Sequence, residues 1–302
     1  MTNEHRTPAA GEQSSAAGGP APLTGGPAVV SVPLRSSRTA DGGVANGGAG
    51  RRWSRLRAGL LGALVPAALL LAWHLSTESG FFSPAELQSP TAVYIAALEL
   101  LERGELINHI LISTQRVLIG FTLGAALGVV FGALLGLSRI ADTLLSPTVG
   151  ALRAVPSLAW VPLLILWVGI NEDSKVTLIL IGAFFPVFTT LYLALRHVDR
   201  NLVEAARAFG LNGVRLLTTV QLPAVVPALF SGLRLALAQS WLFLVAAELI
   251  ASSMGLGFLL TDSQNNGRVD RILLAIILLA VIGKTTDALL GIAEKWAVKR
   301  WA

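Results

Sequence analysis

The chain contains no cysteine in 302 residues, which excludes a disulfide framework and any thiolate chemistry. Charge is scarce as well. Asp, Glu, Lys and Arg make up 14% of the residues, against about 25% in a soluble domain. With 53% hydrophobic residues, the polar side chains are too few to cover a water-exposed globule. Lipid accepts such a chain, provided each span offers about 20 mostly apolar residues. The four histidines, His5, His74, His109 and His197, are scattered, and none makes a metal-type pair at short helical spacing. The formal charge of +5 therefore reads first as membrane topology rather than nucleic-acid binding.

Residues 1–50 are a different material, rich in Gly, Ala, Ser, Pro and Thr without periodicity. They cannot bury enough surface to offset ordering entropy and are expected to form a disordered tail. Arg51, Arg52, Arg55 and Arg57 then precede an apolar run, Ala58 to Leu75, the first expected span. Ser89-Pro90 signals a helix start, and Gly104 ends that helix. Further spans are expected over 117–137, 148–170, 176–195, 225–250 and 272–290, joined by loops that include a Gly- and Asn-containing one after Ile250. Arg139, Arg196, Arg200, Arg207, Arg215, Lys295, Lys299 and Arg300 gather on the tail's side. Arg103, Arg116, Lys175, Arg268 and Arg271 fall in the opposite segments. Six spans with both ends on the cytoplasmic side satisfy that bias.

Several residues within the spans carry chemistry or packing. Gly120, Gly124, Gly128, Gly132 and Gly136 recur every fourth residue, a seam on which another helix can approach closely. Such a seam packs helices and can also let them pivot. Pro156, Pro162 and Pro186 each remove a backbone donor and favour kinks. Lys284 and Asp287 share a face three residues apart and can neutralise one another. Gly283-Lys284-Thr285 is not a phosphate-binding loop, because the first glycine is replaced by Leu278 within an apolar run. Glu248 is an intramembrane carboxylate and a candidate for pathway lining or gating, with Gln239 and Trp241 on the same span. Arg234 lies about 21 Å from Glu248 along that span, too far to pair with it, and reads as an interfacial anchor. No partner for Glu248 is evident in the sequence.

The polar stretch 201–223 is the most informative. Asn201, followed three residues later by Glu204, resembles a capping box. Leu202, Ala206 and Phe209 share an apolar face. Gly210 is placed to end the short helix in the left-handed conformation, Asn212 to start a second one, and Pro223 to open the next span. On physical grounds, two short helices there could seat the small pair Ala205-Ala206 in a partner's groove. They could equally rest on lipid.

The run Glu204-Ala205-Ala206, Gly210, Val220 and Leu222-Pro223 resembles the EAA loop of binding-protein-dependent ABC importer permeases. Val220 stands where that pattern carries Ile. The resemblance extends over about 56–298. Segments 90–120, 166–186 and 232–251, with Gly255-Leu256-Gly257, resemble the branch that imports aliphatic sulfonates, taurine or nitrate. It implies an all-α polytopic membrane protein of type I importer (MetI-like) architecture, with a permease domain over 51–302 and a coupling loop at 201–223. Glu204, Ala205, Ala206, Gly210, Leu222 and Pro223 would then couple to a separate ATPase. The implied partners are two ATPase subunits, an extracytoplasmic solute-binding protein, a second permease copy and the bilayer of a bacterial cytoplasmic membrane. Neither a cofactor nor catalytic residues are expected. An ion-driven secondary transporter would favour broken helices with midplane charges, and an intramembrane enzyme would need a nucleophile–base or metal constellation.

Overall fold

The computed structural model describes residues 47–301, and side-chain surroundings from Gly62 onward apart from Ala251 and Trp301. The tail expected over residues 1–50 therefore lies, up to residue 46, outside the described residues. The described chain is helical throughout: α1 (Gly47–Glu78), α2 (Pro90–Glu102), α3 (Glu105–Leu137), α4 (Arg139–Ala154), α5 (Trp160–Val168), α6 (Glu172–Arg196), α7 (Arg200–Ala208), α8 (Gly213–Leu216), α9 (Leu222–Ala251), α10 (Leu256–Asn265) and α11 (Val269–Trp301). Four segments are long and apolar enough to cross a bilayer: α3, α6, Gly213–Ile250 and α11. A bent pair, α4 with the following Ser157–Val168, supplies a fifth, and the expected first span lies within α1.

α6 is the centre of the bundle, packed between α3 and α9. The α3–α6 seam explains the glycine periodicity. A Cβ on Gly120 would meet Ile179, on Gly124 Ala183, on Gly128 Val187, on Gly132 Leu191 and on Gly136 Leu195. The two rows advance together in steps of four, so α3 and α6 run parallel, with a glycine backbone facing a side chain at every rung. Leu111, Leu118, Leu123 and Leu134 of the same helix point outward. Small residues inside and large apolar residues outside is the burial pattern that lipid selects. Towards α9, Gly182 of α6 faces Phe243, and Leu178 and Ile179 share a core cluster with Leu237, Trp241, Phe243 and Leu244 of α9.

Three expectations need correction. The second span begins at Glu105 rather than near Val117, so α3 has 33 residues and a length of about 50 Å. Arg116, expected just before the second span, therefore lies within α3, and both it and Lys175 of α6 are buried in the bundle rather than exposed in loops. The third span is not continuous: its two halves meet at 79°. Pro156 forces its predecessor Val155 into extended backbone (ψ 123°), and a short 3₁₀ turn over Ser157–Ala159 redirects the chain. Pro162 falls in the first turn of α5, where a missing N–H costs nothing. The loop after the fifth span contains α10, and Ser263 within it is buried. The Ser89-Pro90 signal holds, since the Ser89 hydroxyl accepts from the Ala92 N–H at the start of α2. At the far end of α2, Arg268 and then Arg271 bond Glu99 at 3.1 and 3.4 Å and hold its carboxyl below the usual range.

The seam makes a clear demand. At Gly128 a Cβ would lie 2.9 Å from both the Phe184 carbonyl oxygen and Val187 Cβ, whereas Gly150 of α4 has open space around it. Gly128→Ala is expected to destabilise the detergent-solubilised protein by about 1–3 kcal/mol, and Gly150→Ala to leave it unchanged or slightly stabilised. Thermal unfolding followed by size-exclusion chromatography reads the difference.

Candidate functional site

Two regions at opposite ends of the bundle hold the residues singled out in the sequence. At one end lie α7 and α8. The cap of α7 is Asp199, whose carboxylate accepts from the Asn201 N–H at 2.8 Å, rather than Asn201 itself. Glu204 accepts from Arg200 Nε at 2.8 Å, not from a capping amide. The small pair divides, with Ala205 exposed and Ala206 buried within the chain. Of the expected apolar face, Leu202 and Phe209 stay exposed, Phe209 at 88%. Gly210 has φ +82°, and the Gly210 and Leu211 N–H groups return to the Arg207 and Ala206 carbonyls at 2.9 and 3.1 Å. A left-handed glycine closes a helix in this way.

Asn212 opens α8 as expected. A wide π-turn over Leu217–Gln221 then leads directly into Leu222-Pro223 and α9. Pro223 cannot donate to the preceding turn, and a π-turn absorbs that defect without breaking the helix. Gly213–Ile250 is thus one 38-residue helical run. It joins the α7 region to the opposite end of the bundle.

At that opposite end Glu248 is 1% exposed, and it has the partners that the sequence did not reveal. Ser113 Oγ donates to its carboxylate at 2.8 Å, Arg116 Nη1 at 2.7 Å and the Gly257 N–H at 2.8 Å. Gly255, at φ +124°, and Gly257 let the start of α10 wrap this carboxylate, since a Cβ on either would collide with the Glu248 side chain. Ser113 in turn accepts from the Leu256 N–H at 2.8 Å, and His109 Nδ1 from the Gly255 N–H at 3.0 Å. Arg116 Nη1 also reaches the Met254 carbonyl at 2.7 Å. Its Nε and Nη2 form a fork on the two oxygens of Glu172, each at 2.6 Å, and Lys175 Nζ joins Glu172 at 2.8 Å.

His109, Ser113, Arg116, Glu172 and Lys175 were not among the expected site residues. One signal was present. His109, Ser113 and Arg116 extend the face of the glycine seam upward by steps of four and three.

Between the two ends, Trp241 is buried and its Nε1 donates to Thr286 Oγ1 at 3.1 Å, while Gln239 is half-buried. Neither meets Glu248. Arg234, read as an interfacial anchor, makes a two-pronged pair with Asp287 at 2.8 and 2.9 Å, joining α9 to α11. Lys284 stands 3.5 Å from Asp287 and is the lesser partner. Among the described residues no group of three His, Cys, Asp or Glu side chains could hold a metal ion.

The model of the "binding-protein-dependent transport system inner membrane component" family matches residues 124–299. The chain belongs to that family. This permease is 39% identical to the putative aliphatic sulfonates transport permease protein of Bacillus subtilis over 79% of its own length and 86% of the relative's. It is 32% identical to the taurine transport system permease protein of Escherichia coli over 76% and 86% of the two chains. Among solved structures, a chain of the MetNI methionine ABC transporter in an inward-facing conformation superposes with a TM-score of 0.54 at 19% identity, covering 65% of the permease and 96% of that chain. The MetI-like fold expected from the resemblance is the one observed.

The Glu248 cluster yields a stability test. Removing one member of a buried pair strands its partner's charge, at about 3–5 kcal/mol. Glu248→Ala should destabilise the permease by that order. Glu248→Gln, which keeps acceptor and shape, should cost less. Thermal unfolding of both variants in one detergent reads the ranking.

Proposed function

We propose that the permease takes a small organic or inorganic oxyanion, of the sulfonate, taurine or nitrate kind, across the bacterial cytoplasmic membrane in an ABC importer. It carries no ATP site of its own in this reading. Two separate ATPase subunits dock on the α7 regions of two permease copies, and an extracytoplasmic binding protein delivers the solute at the α10 end. Both termini face the cytoplasm. The observation that carries the proposal is the build of the α7 end. Glu204, Ala205 and Phe209 are exposed on a short capped helix that leads, through Leu222-Pro223, into the uninterrupted run to Ile250. A push on α7 is thereby delivered to α9 and to Glu248 at its other end. Nucleotide shifts the balance of states because the ATPase pair closes on ATP and carries the docked helices with it. The names of the relatives support the choice of anion.

Two substitutions test the docking. Ala205→Trp adds bulk to the exposed face of α7 with little change in helix propensity. Gly210→Val meets no neighbour, since nothing lies within 4 Å of its Cβ, and acts through the positive φ alone, at about 1–2 kcal/mol. Both proteins should insert normally yet lose ATPase pull-down and vesicle uptake. A helix that merely rests on lipid would accept tryptophan, so normal docking and uptake in both variants would sink the coupling assignment.

Orientation has its own test, made clean by the absence of native cysteine. Asn265→Cys, exposed at the end of α10, should react with an impermeant thiol reagent added outside. Asn212→Cys, exposed beside α8, should react only after the membrane is opened. The reverse pattern inverts the topology.

A further inference from the structure

The Arg116 fork is built in an unequal way. The Arg116 and Lys175 side chains are 6% and 5% exposed, whereas the Glu172 carboxylate they hold is 61% exposed. Glu248, Ser252 and the Met254 carbonyl fix Arg116 from behind through Nη1, leaving Nε and Nη2 aimed at the opening. Glu248 can balance one of the two buried cations, and the second is balanced by a carboxylate on a flexible, solvent-facing stem. Such a stem swings away by side-chain rotation alone. Glu172 is also the first residue of α6, three residues beyond Gly169, whose φ of +85° ends α5.

Space lies on both sides of that carboxylate. A cavity of about 330 Å³ carries Ile112, Ile119, Val176 and Met254 beside Arg116 and Glu172. A second, of about 510 Å³, carries Asn171, Lys175, Ser252 and Ser253. An apolar wall beside a guanidinium fork fits a short alkyl chain ending in an oxyanion. Two oxygens of a sulfonate can span the two donors as a carboxylate does.

We propose that Arg116 and Lys175 form an oxyanion-binding site at the α10 end, and that Glu172 occupies it as a tethered substitute until a substrate anion displaces it. The inference rests on the importer reading, narrows its substrate class to a short alkyl oxyanion, and adds a first point of contact on the permease. It also gives a reason for the exposed carboxylate. Two buried cations facing an empty pocket would repel one another, and Glu172 keeps the pocket neutral between substrates. Displacement exchanges one anion for another and leaves the net charge of the pocket unchanged.

The test is equilibrium binding of radiolabelled ethanesulfonate to the full permease, assembled with its ATPase in nanodiscs. A built-in competitor lowers apparent affinity by the fraction of time the site is free. Glu172→Gln should therefore tighten ethanesulfonate binding by about tenfold, taking the fork as free roughly a tenth of the time. Lys175→Gln added to Glu172→Gln should reverse the gain. Glu172→Asp, which keeps the charge on a shorter stem, should give a smaller tightening, and it carries the test if the Gln variant fails to assemble. Unchanged or weaker binding in the assembled variants overturns the site. A raised basal ATPase rate without a change in binding does the same, because it makes the ion group a latch. Tightening seen for dihexanoylphosphatidylglycerol but not for ethanesulfonate assigns the fork to a lipid headgroup and also overturns it. Failure of the wild-type chain to bind the ATPase would sink the importer reading instead. Anion binding to the permease alone would then still report on the fork.

Discussion

A carboxylate in the last turn of a membrane-spanning helix is tolerable only where its charge and its lone pairs are all met. Glu248 meets that condition with contributions from separate parts of the chain: a hydroxyl and a guanidinium from α3, and a backbone amide from the start of α10. None of these is dispensable, since an unmet polar group in hydrocarbon costs several kcal/mol. The rest of the α10 end is arranged around this need. Gly255 and Gly257 are there because the chain must come within backbone distance of the carboxylate. α10 turns back into the protein so that its first amides point at Glu248 and Ser113. Arg116, fixed on one side, is left with a fork to offer on the other.

The opposite end follows a different logic. Nothing charged is buried in α7, and its polar groups are met locally by Asp199 and Arg200. What distinguishes it is exposure combined with stiffness: an outward Phe209, a left-handed glycine that fixes the exit, and a π-turn that carries the helix past Pro223. Such an element keeps its shape while it is pushed. The glycine seam gives α3 the same character, because five close backbone approaches hold it to α6 as one body. α6 and α9 also share a core, so in the proposed coupling a displacement at α7 would pass to the Glu248 cluster through packed helices rather than through a flexible loop.

Much of this was legible from the residues. The spans announced themselves by hydropathy, the seam by its period of four, and the α7 helix by a glycine that could only be a terminator. What escaped was whatever depends on a partner far along the chain. Arg116 looked like a loop cation because the apolar run begins just after it, and its partner is 132 residues away. The break in the third span was half visible, since Pro156 signals a bend but not an angle of 79°. α10 was missed because a short helix needs no long apolar run. Asn201 was read as the cap, but Asp199, two residues earlier, is the one whose carboxylate reaches an amide, and which side chain does so is a matter of backbone angle.

The placement of Arg116 also bears on how the protein is made. Its two carboxylate partners are synthesised at different times, Glu172 after 56 further residues and Glu248 after 132. At about 5–20 residues per second, Arg116 is synthesised several seconds before either of them. It then holds an arginine on the face that must later meet α6. Glu172 arrives first and sits on the very helix that closes the glycine seam. Packing α6 against the glycine seam therefore also brings the arginine its first counter-charge. Glu248 completes the cluster once α9 has followed, which makes the order of the spans along the chain part of how a charged residue is carried safely into the membrane.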